Sequence, residues 1–397
     1  MLTVVLYCWL YGIIGDSIVM NANFTTGHLR VMTRAYAQKP EQMANDLAIL
    51  DAGRLVEGLQ RDYPGIDWVK RIRFGALMDF PDAKGETRAQ GPVLGWAIDL
   101  LSPGSKEAGR FNIEKSIVIG NIPSKSGEAL ISDDFALKFN VQPGDTFTIF
   151  GTTMDGSMAF RNFIVAGTLR FGVAAIDKGA VIMDITDAQA AFSMDDATGE
   201  VLGFFDDEIY DDEKATSIAT RFNMKFNASK DEFAPLMITL RGQEGMAEMM
   251  DYVNAAAGIM IFVFLLAMSL VLWNTGLIGS LRRYNEFGVR LALGESKGHI
   301  YKTLLYEGVL IGGIGTVIGT VIGLVLAYYL QTVGLDTSGM MKNASMMIPS
   351  VVRAVVTPSA YYIGLIPGLF SIVLGNALAG IGIYKRQTAS LFKELEV

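Results

Sequence analysis

Arg282-Arg283-Tyr284-Asn285-Glu286-Phe287-Gly288-Val289-Arg290-Leu291-Ala292-Leu293-Gly294 lies between two long apolar runs, 253–281 and 303–330. Either run is long enough to cross a hydrocarbon layer roughly 30 Å thick. The segment between them is too charged for lipid, so it is expected as a short helical element at one membrane face. A compact basic helix between two spans suits the transfer of force or signal to a soluble partner.

Two further apolar runs flank these, 1–19 and 360–383. The chain is 51% hydrophobic and 19% charged over 397 residues, too apolar for an ordinary soluble protein and too charged to be membrane throughout. The stretch 21–251 has globular composition and is long enough to bury its own core, expected as two subdomains. The fold class is thus an α-helical membrane protein with four transmembrane helices and a large α+β extracytoplasmic domain between helices 1 and 2. The expected boundaries are helices at 1–20, 251–281, 302–330 and 359–383, an outer domain at 21–250, an inner segment at 282–301, an outer loop at 331–358 and a tail at 384–397.

Orientation follows from Lys and Arg, which are enriched in loops that stay in the cytoplasm. Arg282, Arg283, Arg290, Lys297 and Lys302 stand against Glu286 and Glu295, and the tail carries Lys385, Arg386 and Lys393. Both segments read as cytoplasmic, which puts the large domain outside. Lys342 and Arg353 in the outer loop oppose this without reversing it. The first run has no basic lead-in and meets Asp16 early, which is short for a span. It reads as a transmembrane helix whose cytoplasmic start is missing from this numbering; the alternative is an interfacial anchor. No signal-peptide pattern is visible.

Little points to chemistry within the chain. No GxxxxGK[ST] phosphate loop is present, so this chain is not expected to hydrolyse ATP. Cys8 is the single cysteine, and His28 and His299 are the only histidines. They fall on opposite sides of the membrane in this reading, which leaves few resources for a metal site or a Cys–His nucleophile. The net charge of −8 gives no basic face for nucleic acid. The acidic stretch 195–213 reads as a solvated loop; a calcium site is the alternative, but the hand-type spacing is missing.

In the outer domain, a strand is expected at 26–36, a helix at 41–61, strands at 68–80 and 89–98, and a helix opening at Ser132. A hairpin through Asp155-Gly156 joins strands 146–150 and 160–169. A strand at 180–183, a helix at 187–192 capped by Thr186, and a helix at 212–226 follow. In the third span, Gly308 and Gly312 are four apart, as are Gly315, Gly319 and Gly323, a spacing that lets helices approach closely in lipid. Glu307 is expected to snorkel or to pair with a base, with a proton-relay role as the alternative. Pro367-Gly368 invites a kink in the fourth span.

Arg283…Glu286-Phe287-Gly288-Val289-Arg290-Leu291-Ala292-Leu293-Gly294 resembles the R-x-x-E-I-G-x-x-R-A-L-G signature of FtsX-like/MacB-type ABC transporter permeases. Thr26-Gly27-His28-Leu29-Arg30-Val31 is similar to the strand after the first span in the lipoprotein-releasing (LolC/LolE-type) branch. Glu128–Ser132, Val141–Asp145 and Val181–Gln189 resemble parts of the MacB-type periplasmic core domain, so the likeness covers nearly the whole chain.

The resemblance implies a non-catalytic permease of the bacterial inner membrane, with its large domain in the periplasm. It implies pairing with a second permease, identical or paralogous, and recruitment of two copies of a separate ABC ATPase that carries ATP and Mg. Arg283, Glu286, Phe287, Gly288, Arg290, Leu291 and Gly294 would couple to that ATPase. Glu286 and Arg290 would pair with each other or with the partner, and Phe287 and Leu291 would anchor in its groove. Gly288 would permit close approach and Gly294 would end the helix. Lipoprotein cargo, a periplasmic carrier and membrane lipid complete the implied partners.

The sequence departs from the family pattern at Phe287, where an aliphatic residue is usual, and at the short, proline-free hairpin loop 152–159. One subunit of the lipoprotein-releasing branch carries a longer proline-containing hook there, so this chain reads as the non-hook partner or as serving another cargo. The competing function class is a mechanotransmitting efflux or regulatory permease that acts on another cargo or an external hydrolase.

Overall fold

The computed structural model describes residues 1–82, 84–171, 174–226, 231–243, 245–336 and 351–385. Residues 337–350, half of the expected loop 331–358 and including Lys342, and the tail from Arg386, with Lys393, lie outside the described residues. The chain divides into two compact units, one from 1–16, 250–336 and 351–385, the other from 17–249.

The chain opens with helix α1 (Leu2–Asn21), which runs through Asp16 and ends in a π-helical turn at Ala22–Thr26. The described residues of the second unit then build ten strands: β1 (Leu29–Thr33), β2 (Ile66–Pro81), β3 (Thr87–Ile98), β4 (Ile117–Gly120), β5 (Glu128–Ser132), β6 (Thr146–Thr152), β7 (Met158–Leu169), β8 (Ala180–Asp184), β9 (Glu200–Phe205) and β10 (Pro235–Thr239). Helices α2 (Ala52–Asp62), α3 (Asp133–Phe139), α4 (Ile185–Ala191) and α5 (Asp212–Phe226) pack among them.

Two subdomains share one strand. The later part of β2, from Ile72, pairs with β3 and β6, and the ladder continues through β8, β5 and β7 back to β6, closing a six-stranded ring. Alternation on β2 sends Phe74, Met78 and Phe80 into the ring, where they meet Phe147, Ile149, Phe163, Val181 and Met183. Gly95 makes room there, since a Cβ at that position would stand 2.1 Å from the Phe74 ring. The first part of β2, Ile66–Arg71, pairs instead with β9 in an antiparallel sheet ordered β10-β1-β9-β2. Leu59 of α2 and Ala215, Ala219 and Phe222 of α5 cover this sheet over Val31, Trp68, Val201 and Met237. The side-chain amide of Asn223 exchanges two hydrogen bonds with the backbone of Met237 on β10, at 2.8 and 2.9 Å.

Several local expectations are corrected. The strand expected at 26–36 is only Leu29–Thr33, because the Thr33 hydroxyl accepts the Tyr36 amide proton and starts a helical turn. The helix expected at 41–61 begins at Ala52: Ile49 bridges to Thr198, and Asp51 takes a left-handed φ of 49°. Asp184, not Thr186, caps α4, accepting the Thr186 amide proton. The acidic stretch 195–213 is not all solvated, since Glu200 is fully buried on β9 between Arg30 and Arg73.

In the other unit, α6 (Met246–Leu281), α7 (Tyr284–Ala292) and α8 (Lys297–Val333) follow one another, and α9 (Ser371–Lys385) completes it. Pro367 and Gly368 sit in a π-helical turn, Ile366–Phe370, that leads directly into α9. Among the described residues, four segments are long and apolar enough to cross a membrane: Leu2–Thr26, Met246–Leu281, Lys297–Val333 and Pro358–Ile381.

Candidate functional site

The segment 282–294 folds as α7, nine residues long. Glu286 in its first turn and Arg290 in its last complement the helix dipole. Gly294 ends it: its φ of +94° is open to glycine, and its amide bonds to the Leu291 carbonyl at 3.1 Å.

The helix has two distinct faces. Tyr284, Phe287 and Gly288 are buried, and Leu291 is half-buried. They pack with Ile300 and Leu304 of α8 into one apolar cluster. The opposite face presents Asn285, Glu286, Val289, Ala292 and Leu293, all exposed, with Leu293 at 82%. The expected anchor is thereby corrected. Phe287, at 2% exposure, is held inside this chain and is not free to enter a partner's groove.

The expected Glu286–Arg290 pair is replaced by others. Arg283 bonds to Glu286 at 2.9 Å and, through Nη1, to both carboxylate oxygens of Glu307 at 2.6 and 2.7 Å. Arg290 makes a bidentate pair with Glu295, both bonds at 2.6 Å. That guanidinium holds the Glu295 carboxyl below the usual carboxylate range. Glu307 therefore pairs with a base, one of its two expected fates.

Around α7 the spans are tied by polar groups. The Tyr284 hydroxyl donates to the Ala379 carbonyl of α9 at 2.7 Å. Ser280 of α6 lies 2.9 Å from Oδ1 of Asn376 on α9, whose amide nitrogen donates to the Leu304 carbonyl of α8 at 3.4 Å. Beside this node is a cavity of about 290 Å³ lined by Thr275, Gly276, Arg283, Glu307, Ile372 and Asn376. Asn376 had a sequence signal, a lone amide in an apolar run, which in a membrane marks an interhelical bond.

The five glycines of α8 do not act alike. A Cβ at Gly308 would meet Asn376 at 2.6 Å, and one at Gly312 would meet Gly368 and Leu369 at 3.2 Å. Gly319 and Gly323 face Met1 and Val4 of α1, at 3.0–3.1 Å. Gly315 has nothing within 4 Å.

The unit 17–249 holds buried ion pairs that sequence reading did not find. Arg71, at the point where β2 passes from one sheet to the other, pairs with Glu107 and donates to the carbonyls of Asn23 and Phe24 at 2.7 and 3.3 Å. Arg30 pairs with Glu200 and bonds to Gln243 at 3.1 Å. Their partners lie too far along the chain for local spacing to reveal them. His28 is buried against Phe204, Phe205 and Tyr210, and its Nδ1 accepts the Phe205 amide proton at 3.0 Å. Burial pulls its pKa down to about 4, so the ring is neutral at pH 7. Among the described residues, no group of three or more His, Cys, Asp or Glu side chains converges to hold a metal.

Comparison with known proteins matches residues 258–388 to the FtsX-like permease C-terminal family. The chain is 27% identical over 232 residues to the lipoprotein-releasing system transmembrane protein LolC of Xylella fastidiosa, in strains Temecula1 and 9a5c. That alignment covers 56% of this chain and 53% of the relative, so the chain spans about half the length of the curated relatives it matches. Solved structures with some likeness include the periplasmic region of MacB from Actinobacillus actinomycetemcomitans, with TM-score 0.35 and 11% identity over 55% of this chain and 91% of that one. A domain of a putative permease from Porphyromonas gingivalis gives TM-score 0.31 and 12% identity over 57% and 97%. The short helix with its signature residues lies within the matched stretch, so residues 258–388 form an FtsX-like permease C-terminal domain in a chain that is LolC-like in sequence.

Proposed function

We propose that the chain is the permease subunit of an ABC transporter of the bacterial inner membrane, driven by a separate ATPase and acting in the release of lipoproteins from that membrane. The observation that carries this is the exposed face of α7, where Glu286, Val289 and Leu293 follow helical spacing between two membrane-spanning helices. An exposed stripe of one carboxylate and two apolar side chains, on a helix whose other side is anchored, suits a docking surface.

In this reading two ATPase subunits bind ATP and Mg, and each seats one α7. The helix presents Glu286 and the apolar pair Val289 and Leu293, whereas Phe287 fixes it from behind. A second permease, identical or paralogous, completes the pair. The outer unit lies in the periplasm and shifts when the ATPases close, moving acylated protein from the membrane towards a carrier. LolC relatives and the positive charge of the α7 segment support the cargo class and the orientation.

A second reading, a mechanotransmitting permease acting on another cargo or an external hydrolase, is favoured by the tight turn between β6 and β7. There Thr153 and Ser157 close the loop with hydrogen bonds of 2.9–3.1 Å, with no longer hook. Copurification with candidate phosphate-loop ATPases, followed by ATP-dependent release of a triacylated lipoprotein from proteoliposomes, tests the proposal. Binding abolished by Glu286→Arg and Leu293→Asp, with release in the wild type, is the expected result. No ATPase binding, or binding and release indifferent to both substitutions, would sink it; binding without lipoprotein release would favour the second reading.

A further inference from the structure

The docking helix is built into the spans behind it by contacts that converge on two points. At the first, Arg283 reaches across to α8 and holds both oxygens of Glu307, while Phe287 is buried with Ile300 and Leu304 of the same helix. At the second, Asn376 of α9 stands between Ser280 of α6 and the Leu304 carbonyl of α8, and Tyr284 bonds to the Ala379 carbonyl one turn further on. Glycines make these approaches close: Gly308 lies under Asn376, and Gly375 lies so near α6 that a Cβ would stand 2.6 Å from the Trp273 carbonyl. In lipid, such polar bonds have no water to compete with, and small residues bring the backbones into contact.

Above this region the regular geometry breaks. Residues Ile366–Phe370 form a π-helical turn, Pro367 lacks the amide that would continue an α-helical ladder, and Gly368 packs against Thr316. The outer half of α6, from Asp251 to Leu270, has no buried residue. Stiffness and compliance are therefore separated along the spans.

We infer that α7 and the inner ends of α6, α8 and α9 form one mechanical block, closed by Arg283–Glu307 and by the Asn376 node, which rocks about the π-helical turn. Glu307 and Asn376 are positioning residues: neither faces the partner, and both determine whether displacement of α7 reaches the membrane helices. This deepens the proposed function, since the displacement comes from the ATPase in that reading.

The test uses spin labels on the full chain in lipid nanodiscs, with Cys8→Ser removing the native thiol. Labels at exposed positions Arg282, Ile311 and Leu374 report within the block, and labels at Tyr252 and Tyr329 report beyond it. In the chain alone, single narrow distances are expected within the block, broadened in Glu307→Gln and in Asn376→Leu and narrowed again in the swap Arg283→Glu with Glu307→Arg. Broad distances in the wild type, or variants as narrow as the wild type, overturn the inference whether or not an ATPase is present. With the cognate ATPase and vanadate-trapped ATP, distances inside the block stay fixed while the Tyr252–Tyr329 distance shifts. In Glu307→Gln the ATPase still binds and hydrolyses, but the outer shift falls roughly 5-fold or more. Block distances that change with nucleotide overturn the inference. An ATPase that never binds the wild type defeats the proposed function instead, and the nanodisc distances of the chain alone still decide the block.

Discussion

The guanidinium of Arg71 grips both carboxylate oxygens of Glu107, Nε to Oε2 at 2.6 Å and Nη2 to Oε1 at 3.0 Å, with side chains 1% and 0% exposed. The pair stands where β2 leaves the sheet for the ring, and Arg71 also holds the turn that follows α1. Removing Glu107 leaves a buried guanidinium without its carboxylate, and removing Arg71 leaves buried Glu107 with Arg110 alone, at 3.0 Å. Arg71→Met or Glu107→Gln is expected to destabilise the protein by about 3–5 kcal/mol, and the double variant Arg71→Met/Glu107→Met by less than the sum. Chemical unfolding in detergent followed by tryptophan fluorescence measures both.

The two faces of α7 predict opposite phenotypes. Phe287→Ala removes a ring from the cluster with Ile300 and Leu304 and should cost about 3–5 kcal/mol. Leu293→Asp, at an exposed site, should leave thermal stability within about 0.5 kcal/mol and abolish ATPase copurification. Equal loss of stability in both variants would contradict the two-faced arrangement.

His28 makes the unit 17–249 sensitive to acid. Its folded pKa is depressed to about 4 from 6.5, chiefly by burial. The unfolded chain therefore takes up the proton first as pH falls below 6.5. Stability is whole above that value and declines towards pH 4, by roughly 3 kcal/mol in total from this group. His28→Gln keeps an acceptor for the Phe205 amide and cannot titrate, so the difference in unfolding free energy between pH 7 and pH 4.5 should shrink.

Glycines of α8 divide by what they face. Gly308→Val drives a side chain into Asn376 and should lower the melting temperature in detergent, whereas Gly315→Val, with nothing within 4 Å, should leave it unchanged. An intact melting temperature for Gly308→Val would mean that α8 and α9 are not packed as described.

Much of the architecture was legible because period and length carry it. The alternation of Ile72, Phe74, Met78 and Phe80 marks a strand with one buried face, and four apolar runs mark the candidate spans. What failed depended on distant partners. The apolar pattern through Leu47 and Leu50 suggested an early helix, but the Ile49–Thr198 bridge holds that segment extended and leaves Leu50 exposed. Glu200 looked like one more solvated acid, because its partner Arg30 is 170 residues away. On α7 two apolar stripes compete, Phe287 with Leu291 and Val289 with Leu293. Sequence cannot choose between them, since the choice is made by Ile300 and Leu304 on the next helix.

Asn223 has a consequence for how the strand-rich unit behaves in company. Its amide occupies both the donor and the acceptor of Met237 on the free side of β10, the terminal strand of its sheet. An unpaired terminal strand invites a strand from another molecule, the first step towards fibrous self-association. A side chain that imitates a strand's hydrogen bonds closes that invitation without lengthening the sheet. Crowding many such chains in one membrane then carries less risk of their sheets fusing edge to edge.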